Sequence, residues 1–416
     1  MIRAITGCRV CGNTRLETVL DLGEQCLTGV FPRTRDSNVP RAPLDLVKCT
    51  GAVNDACGLV QLRHSYEPTE MYGANYGYRS SLNRSMVEHL RAKIDALRDR
   101  IPLKPGDVVL DIGSNDGTTL SFYPSDLRRI GIDPTAAKFA EYYPDGVTAI
   151  PEFFSAATFL RASGGAPARI VTSVAMFYDL ESPLEFARNV HQVLADGGYW
   201  HFEQSYLRRM LDANSYDTIC HEHIEYYALR QIVWICERSG FRIVDVTQND
   251  VNGGSFAVTV TKSAAHHLAH VAAVEQLLAE EARIGLDTPA PYRAFADRVD
   301  KLRLELRTLI RDLSGRGKKV FGLGASTKGN VLLQYCGFDE RDLPCIAEVN
   351  EDKFGSFTPG TRIPIVSERD AYALNPDYML VLPWHFRAGI VRGCAPFLER
   401  GGRLIFPLPA VEVIGA

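Results

Sequence analysis

The chain has 416 residues, of which 46% are hydrophobic and 23% are charged, with a formal net charge of −4. That length exceeds one compact core and predicts two or three domains, while the mildly acidic balance excludes a general attraction to nucleic acid or an anionic membrane. No apolar run approaches the roughly 20 residues of a membrane span, and the opening MIRAITGCRVCG is not a signal peptide, so we expect a cytoplasmic protein with reduced thiols.

Cysteines cluster near the start of the chain. Cys8 and Cys11 form a C-x2-C pair, Cys49 and Cys57 form a wider C-x7-C pair, and Cys26 is left over. In a reducing compartment, paired cysteines favour metal binding over disulfides, and four thiolates suit tetrahedral zinc. Such a closed site leaves no position for a substrate, so the zinc would be structural. The alternative is a set of buried thiols.

A tyrosine-rich stretch follows, YEPTEMYGANYGYRS, in which Tyr72, Tyr76 and Tyr78 are interspersed with glycines. Phenol rings on a glycine-containing loop suit either a cover over a ligand or a contact between two domains. From Val87 to Ile101, apolar residues recur at steps of three and four. This period predicts an amphipathic helix that leads into the second domain.

The segment GDVVLDIGSNDGTTL predicts a buried strand at Val108–Ile112, a glycine loop and the start of a helix. Its G-x-x-x-G spacing differs from the G-x-G-x-x-G that cradles a dinucleotide pyrophosphate. Asp133 ends the next strand, where a carboxylate typically binds ribose hydroxyls, and two more strand ends follow. This order is typical of a site for S-adenosylmethionine (SAM); the alternative is a doubly wound domain that binds no nucleotide. The predicted SAM-binding residues are Asp111, Gly113, Asn115, Gly117, Asp133, Glu152, Phe153 and Met176.

The second half of the chain predicts a strand pair, a helical stretch and another α/β domain. Gly253 and Gly254 suit the turn of a strand pair that closes the sheet, and residues 264–313 have a helical period. The segment KKVFGLGASTKGN then indicates a strand at Val320–Leu323, a glycine turn and a helix that begins near Thr327. Backbone amides at such a helix start suit a phosphate group. The domain therefore either holds a nucleotide diphosphate or acts as a structural lid.

Several motifs occur together and in order: C-x2-C…C-x7-C, DIGSNDG, NSYDTICHEHIEYYAL, VNGGSF and GASTKGN…YCGF…PGTRIPI. Over essentially its whole length, the chain resembles the SAM-dependent sugar C-methyltransferases, which act on nucleotide-linked 4-keto deoxysugars. The resemblance implies a class I SAM methyltransferase sheet, doubly wound, between a small N-terminal zinc-binding domain and a C-terminal Rossmann-like α/β domain. The corresponding ranges are 1–70 for the zinc-binding domain, 71–262 for the SAM domain, 263–315 for a helical spacer and 316–416 for the Rossmann-like domain.

The same resemblance assigns roles to individual residues. The family's catalytic histidine, the glutamate beside it and the tyrosine of the N-terminal loop fall on His223, Glu222 and Tyr76. Two positions depart from the family pattern: Cys220 replaces a common tyrosine, and Tyr178 or Asp179 stands where a histidine is frequent. The predicted substrate-binding residues are Tyr178, Asp179, Cys220, Ser326, Lys328, Asn330, Glu348, Asn350, Trp384 and His385.

The chemistry of carbon methylation requires such a cluster. A carbon next to a ketone becomes nucleophilic when a base removes its proton and a donor stabilises the enolate. We expect His223 to be the base, Glu222 to orient or charge-balance it, and Tyr76 to donate to the enolate or to position the methyl donor. A metalloprotease-type zinc site is disfavoured because H-E-x-x-H requires histidine where Glu225 stands. A solvated polar loop is the remaining alternative, and His221 is open to a structural role.

The predicted function is SAM-dependent C-methylation, at C3, of a 4-keto deoxysugar linked to a dTDP- or GDP-type nucleotide. The predicted cofactors are SAM and a structural Zn²⁺. O- or N-methylation of a sugar nucleotide is the main alternative; a nucleic-acid methyltransferase with a zinc ribbon and a non-catalytic scaffold are weaker ones. Neither nucleic acid nor a membrane is expected as a partner, and a monomer is expected, with a dimer as the alternative.

Overall fold

The computed structural model describes residues 2–51, 56–66 and 78–415. The strands are β1 Arg3–Ala4, β2 Leu16–Cys26, β3 Arg41–Cys49, β4 Val60–Leu62, β5 His64–Ser65, β6 Val108–Ile112, β7 Arg128–Ile132, β8 Val147–Ile150, β9 Ala168–Val174, β10 Leu194–Ser205, β11 Glu225–Tyr226, β12 Phe241–Asn249, β13 Ser255–Lys262, β14 Val320–Leu323, β15 Ile346–Glu348, β16 Ile365–Ser367, β17 Tyr378–Val381, β18 Arg403–Phe406 and β19 Glu412–Ile414. The α-helices are α1 Arg84–Arg100, α2 Ala156–Ser163, α3 Pro183–Val193, α4 Leu207–Asp212, α5 Leu229–Ser239, α6 Val271–Arg283, α7 Ala290–Gly315, α8 Thr327–Cys336, α9 Glu368–Ala373, α10 Arg387–Gly393 and α11 Ala395–Glu399. In the part of the chain so described, no helix is long and apolar enough to cross a membrane.

The N-terminal region contains a sheet of four strands in the order β11-β4-β3-β2. Strands β2 and β3 form its long antiparallel pair, and β3 pairs antiparallel with β4. The fourth strand, β11, comes from the middle of the chain and places Glu225 opposite Gln61 and Tyr226 opposite Val60. The H-E-H segment, His221 to His223, lies just before β11 and is therefore attached to the N-terminal sheet.

The central sheet has seven strands in the order β12-β13-β10-β9-β6-β7-β8. Strand β13 is antiparallel to both of its neighbours, while β6 to β10 are parallel to one another. The predicted strand at Val108–Ile112 is confirmed as β6 and is buried at every position, as a strand with neighbours on both sides requires. The strand pair predicted at Gly253 and Gly254 is confirmed as β12 and β13.

The helix predicted after the glycine loop is wrong in extent. The structure has only a short 3-10 turn there, Thr119–Phe122. Tyr123 precedes Pro124 and is extended, as the residue before a proline usually is, so the turn cannot continue as a helix. The amphipathic helix predicted upstream is confirmed as α1, which begins after a cap in which Asn83 accepts from the amide of Ser85.

The C-terminal sheet has six strands in the order β16-β15-β14-β17-β18-β19, all parallel except β19, which is antiparallel to β18. Helix α8 follows β14 as predicted, and the Ser326 hydroxyl caps it by accepting from the amide of Gly329 at 3.0 Å. Helices α6 and α7 precede this sheet, although the helical stretch begins at Val271 and not at residue 264. The predicted α/β fold class is confirmed, and the four domain ranges stay predictions.

Candidate active site

The four predicted zinc ligands converge on one point. The sulfur atoms of Cys8 and Cys57 are 3.5 Å apart, as are those of Cys11 and Cys49, and all four lie within 4.8 Å of one another. Zinc–sulfur bonds of about 2.3 Å in a tetrahedron place sulfur atoms about 3.8 Å apart, so the arrangement fits one four-coordinate ion. The Asn13 amide also donates to the Cys49 sulfur at 3.3 Å.

The glycine loop after β6 is held by the acid at the end of β7. The Asn115 amide donates to Asp133 Oδ2 at 2.8 Å, and the Thr135 amide and hydroxyl both donate to Asp133 Oδ1 at 2.6 Å. Gly113 has a positive φ of 73°, and a Cβ there would lie 3.0 Å from Met176 Cγ. A side chain at position 113 would therefore be strained and crowded.

The remaining predicted SAM-binding residues differ in exposure. Asp111 is buried and accepts from the Thr172 hydroxyl at 2.5 Å, and burial raises the pKa of its carboxyl to about 7. Glu152 is exposed and pairs with Arg161 at 3.3 Å. Phe153 beside it is 54% exposed. Asp111 therefore lies inside the sheet, whereas Glu152 and Phe153 lie at its surface after β8.

The end of the tyrosine-rich stretch is attached to the glycine loop. The Asn115 side chain donates to the Tyr78 carbonyl at 3.0 Å and accepts from the Ser80 amide at 3.0 Å. The Ser81 amide donates to Asp116 Oδ2 at 3.0 Å. The predicted catalytic Tyr76 lies outside the described residues, as does Tyr72.

His223 lies in a pocket at the carboxyl edge of the central sheet. The pocket lining includes Tyr178, Tyr206, Met210, Asn252 and Gly253. His223 Nδ1 is 3.2 Å from the Thr218 carbonyl oxygen. Because that oxygen can only accept, Nδ1 carries the hydrogen and Nε2 the lone pair of the neutral ring. The Tyr178 ring packs edge-on against the imidazole, with centroids 4.6 Å apart.

Burial, and then the positive charge of Lys328, lower the pKa of His223 to about 4. The imidazole is therefore neutral at physiological pH, which is the protonation state that a base requires. The bond from Nδ1 leaves Nε2 as the basic atom.

The predicted role of Glu222, to orient or charge-balance His223, stays a prediction. Glu222 Oε2 accepts from the Thr28 hydroxyl at 3.4 Å, and a Cβ at Gly29 would lie only 2.4 Å from its Oε1. Burial raises the pKa of this carboxyl. The Thr218 carbonyl supplies the contact that orients the imidazole, and Glu222 contacts the N-terminal region.

Three predicted substrate-binding residues of the C-terminal domain meet near His223. Lys328 Nζ donates to the Asn252 carbonyl at 3.2 Å, and Trp384 Nε1 donates to Asp217 Oδ2 at 2.8 Å. Burial, followed by Lys328, lowers the pKa of His385 to about 3. Burial raises the pKa of Asp217, and Lys328 opposes that shift. A cation, a neutral imidazole and a buried carboxyl thus share this cleft.

The side chains of Glu348 and Asn350 accept hydrogen bonds from nearby backbone amides. Glu348 Oε2 accepts from the Ala325 amide at 2.7 Å, and Oε1 accepts from the amides of Val349 and Asn350 at 2.8 and 2.9 Å. The Asn350 side chain accepts from the Asp352 amide at 3.0 Å. These contacts stabilise the loops after β14 and β15.

Ser326 and Asn330 also have internal partners. Ser326 caps α8, and the buried Asn330 donates to the Thr28 carbonyl at 2.8 Å. The two positions that depart from the family pattern lie beside the H-E-H segment: the Ile224 amide donates to the Tyr178 carbonyl at 3.1 Å, and Cys220 is 1% exposed. Asp179 is half-buried and ends the 3-10 turn that carries Tyr178.

His221 faces away from this pocket. It is 1% exposed, its Nε2 is 3.2 Å from the Ala42 carbonyl oxygen, and Tyr66 packs edge-on against it with centroids 4.9 Å apart. These contacts place it in the core between the N-terminal sheet and the H-E-H segment. Tyr226 and Tyr227 are buried as well, and Tyr226 lines the pocket of His223.

Sequence reasoning missed Asp217, Thr218 and Asn252. Asp217 lies in NSYDTICHEH, where an acid six residues before His223 was a signal that went unused. Thr218 and Asn252 act through their backbone carbonyls, and no side-chain pattern reveals such a role.

A seven-stranded sheet of this order, with β13 as its antiparallel strand and an acid-bound glycine loop after β6, is the fold of class I methyltransferases. Three family models match in succession: "Putative zinc binding domain" over residues 8–72, "Methyltransferase domain" over 86–246 and "C-methyltransferase C-terminal domain" over 250–409. The C-methyltransferase NovU of Streptomyces niveus is 36% identical over 420 residues, which cover 100% of this chain and 98% of NovU. The chain belongs to this family of C-methyltransferases.

Two solved structures resemble part of the chain. The CurJ carbon methyltransferase has a TM-score of 0.35 and 14% identity, over 48% of this chain and 62% of that one. A SAM-dependent methyltransferase of Mesorhizobium loti has a TM-score of 0.31 and 17% identity, over 41% of this chain and 97% of that one. At these values neither structure bears on the substrate.

Proposed function

We propose that the protein transfers the methyl group of SAM to a carbon next to the ketone of a nucleotide-diphosphate-linked 4-keto deoxysugar, at C3. The observation that carries this proposal is the imidazole of His223. It is neutral, it is fixed through Nδ1, and the residue lines a pocket at the carboxyl edge of the methyltransferase sheet. The name of NovU supports carbon as the acceptor.

The residues after β6 to β9 suit SAM. Asp133 accepts three hydrogen bonds from the protein, and a carboxylate has about four acceptor positions. The position left on Oδ2 can accept from a ribose hydroxyl. Phe153 offers an exposed apolar surface for the adenine. SAM bound there supplies an electrophilic methyl group.

His223 Nε2 removes the proton from the carbon beside the ketone. The Thr218 carbonyl fixes the ring and accepts from the Nδ1 hydrogen, so the ring keeps a single orientation and tautomer during the transfer. The imidazolium that results is disfavoured by burial and by Lys328. A substrate diphosphate beside Lys328 would offset that cation and raise the pKa of His223, which makes the base stronger when substrate is bound.

The N-terminal region completes the proposed site. Tyr76 is proposed to donate to the enolate oxygen or to position the methyl donor. Glu222, whose carboxyl pKa is raised by burial, connects the H-E-H segment to Thr28. Four thiolates would fill every coordination position of the zinc ion, so its proposed role is to stabilise the N-terminal region and not to bind substrate.

Product analysis in deuterated water tests the proposal. The enzyme is incubated with SAM and a panel of dTDP- and GDP-linked 4-keto sugars, and products are identified by mass spectrometry and NMR. We expect a new carbon–methyl bond and exchange of the hydrogen beside the ketone. A methyl ether or a methylamine would instead establish the O- or N-methylation alternative.

Variants then test the base. His223→Asn should abolish both exchange and transfer while SAM affinity stays within about twofold, because His223 is not among the residues proposed to bind SAM. His266→Asn, at an exposed histidine, is the matched control and should retain both activities. Exchange that persists in His223→Asn would exclude this histidine as the base.

A further inference from the structure

The zinc-binding loops and the segment of His223 share one sheet. Strand β4 begins three residues after Cys57 and pairs antiparallel with β11. The pairing extends toward the histidine, because the Leu62 amide donates to the Ile224 carbonyl at 2.8 Å. His223 directly precedes Ile224 in the chain. Its position therefore depends on where the zinc-binding loops hold β4.

Arg9 lies between Cys8 and Cys11, and its side chain is 2% exposed. Its Nη1 donates to the Leu62 carbonyl at 2.6 Å and to Gln61 Oε1 at 3.4 Å, and its own backbone amide donates to the same Gln61 oxygen at 3.1 Å. Because Gln61 is the partner of Glu225 in the sheet, the guanidinium stabilises β4 at the pairing that carries the H-E-H segment.

The same guanidinium contacts the segment that carries Tyr178. Arg9 Nε is 3.4 Å from Glu181 Oε2, and that oxygen also accepts from the Ser65 hydroxyl at 2.7 Å. Glu181 lies three residues after Tyr178, whose ring packs against His223. The hydrogen bonds of Arg9 thus link it to the segment that carries His223 and to the segment that carries Tyr178.

A second connection starts at the last zinc ligand. The Gln231 side chain donates to the Cys57 carbonyl at 2.9 Å and accepts from the Ala228 amide at 3.0 Å. Gln231 is on the first turn of α5, which follows β11. The loop that supplies Cys57 is therefore also tied to the chain on the far side of β11.

We propose that Arg9 is a positioning residue for the methyl transfer, which holds the His223 segment and the Tyr178 loop together against the zinc-binding loops. The arrangement requires a planar fork that donates in several directions, which arginine provides and lysine does not. The positioning role rests on the proposed function of His223. It links the zinc-binding loops to the segments that line the active-site pocket, in addition to the support that these loops give the N-terminal fold.

The test compares Arg9→Lys with Arg15→Lys in the full-length, zinc-loaded protein. Arg15 is exposed on the same loop region and serves as the matched control. Hydrogen–deuterium exchange, followed by mass spectrometry, reports the protection of residues 218–228 relative to residues 108–117. We expect Arg9→Lys to keep its zinc, lose protection only at 218–228, and lose kcat by about tenfold to a hundredfold, as a misplaced base does, with little change in KM.

A milder variant covers the case in which Arg9→Lys loses its zinc. Glu181→Gln lies outside the zinc-binding loops, keeps the shape of the side chain and weakens the contacts of this carboxylate with Arg9 and Ser65. It should lower kcat while zinc content and melting temperature stay native. The positioning role is overturned if the zinc-loaded variants show native protection at 218–228 and native kcat. Failure of His223→Asn to stop hydrogen exchange would instead refute the proposed base, whatever the Arg9 variants do.

Discussion

Neutralising Lys328 should move the acid limb of the pH–rate profile to higher pH. The pKa of His223 is lowered from 6.5 to about 4, with burial as the larger cause and Lys328 as the second. At about 1.4 kcal/mol per pKa unit, this shift is a preference of roughly 3 kcal/mol for the neutral ring. A group with a depressed pKa keeps its basic form above that pKa and loses it as the pH falls through it. Wild-type kcat/KM should therefore stay above half of its maximum at pH 5.

Lys328→Met removes the charge and leaves the burial. The pKa of His223 should then rise but remain below 6.5, and the half-maximal point of kcat/KM should rise with it. The assay is kcat/KM for the sugar nucleotide at saturating SAM between pH 4.5 and 8, with circular dichroism to verify folding at each pH. NMR titration of the His223 ring, assigned by comparison with His223→Asn, reports the same pKa without substrate.

Lys104→Met is the matched control, because Lys104 is exposed and distant in sequence from this cleft. It should leave the profile unchanged. A wild-type His223 that titrates at 6.5 or above would refute the argument from burial. An unchanged or lower half-maximal pH in Lys328→Met would refute the argument from charge.

Three further outcomes are expected. Gly29→Ala places a Cβ only 2.4 Å from Glu222 Oε1 and should displace that oxygen. Because the oxygen ends a flexible side chain, the melting temperature should change little while kcat falls. A native kcat would show that the position of Glu222 does not matter for the reaction. Chelation should release one zinc per chain and lower the melting temperature, since binding energy at a structural site is folding energy; a metal-free chain that melts like the loaded one would contradict this. Glu281→Gln weakens a buried carboxylate that accepts from the Leu229 and Arg230 amides and from the Tyr206 hydroxyl, and should cost about 1–3 kcal/mol in urea unfolding, whereas the exposed Glu275→Gln should cost almost nothing.

Patterns that extend over one element were predictable. The period of α1, the buried run of β6 and the start of α8 near Thr327 each follow from a few neighbouring residues, and each is confirmed. The error after Gly117 has a local cause as well: Pro124 stops the helix after one turn. Cysteine spacing likewise predicted which four thiols meet.

Partners of single side chains were less predictable. Glu348 ends a strand, as Asp133 does, and the sequence assigned it to a ligand. The structure shows it accepting from the amides of Ala325, Val349 and Asn350, and its role toward a ligand stays a prediction. A carboxylate at a strand end can bind either a ligand or the neighbouring loop, and the choice depends on how the loop folds back. Residue type alone does not distinguish the two.

The H-E-H segment shows why the site could not be built from local patterns. Its strand β11 belongs to the zinc-domain sheet, and the Ile224 amide bonds to the Tyr178 carbonyl of the methyltransferase domain. Just upstream, Asp217 accepts from Trp384 of the C-terminal domain, and the adjacent Thr218 carbonyl fixes the imidazole. Three parts of the chain must therefore be packed together before His223 has its orientation, its low pKa and its pocket. A disturbance in any one of them should appear at this ring before it appears in global stability.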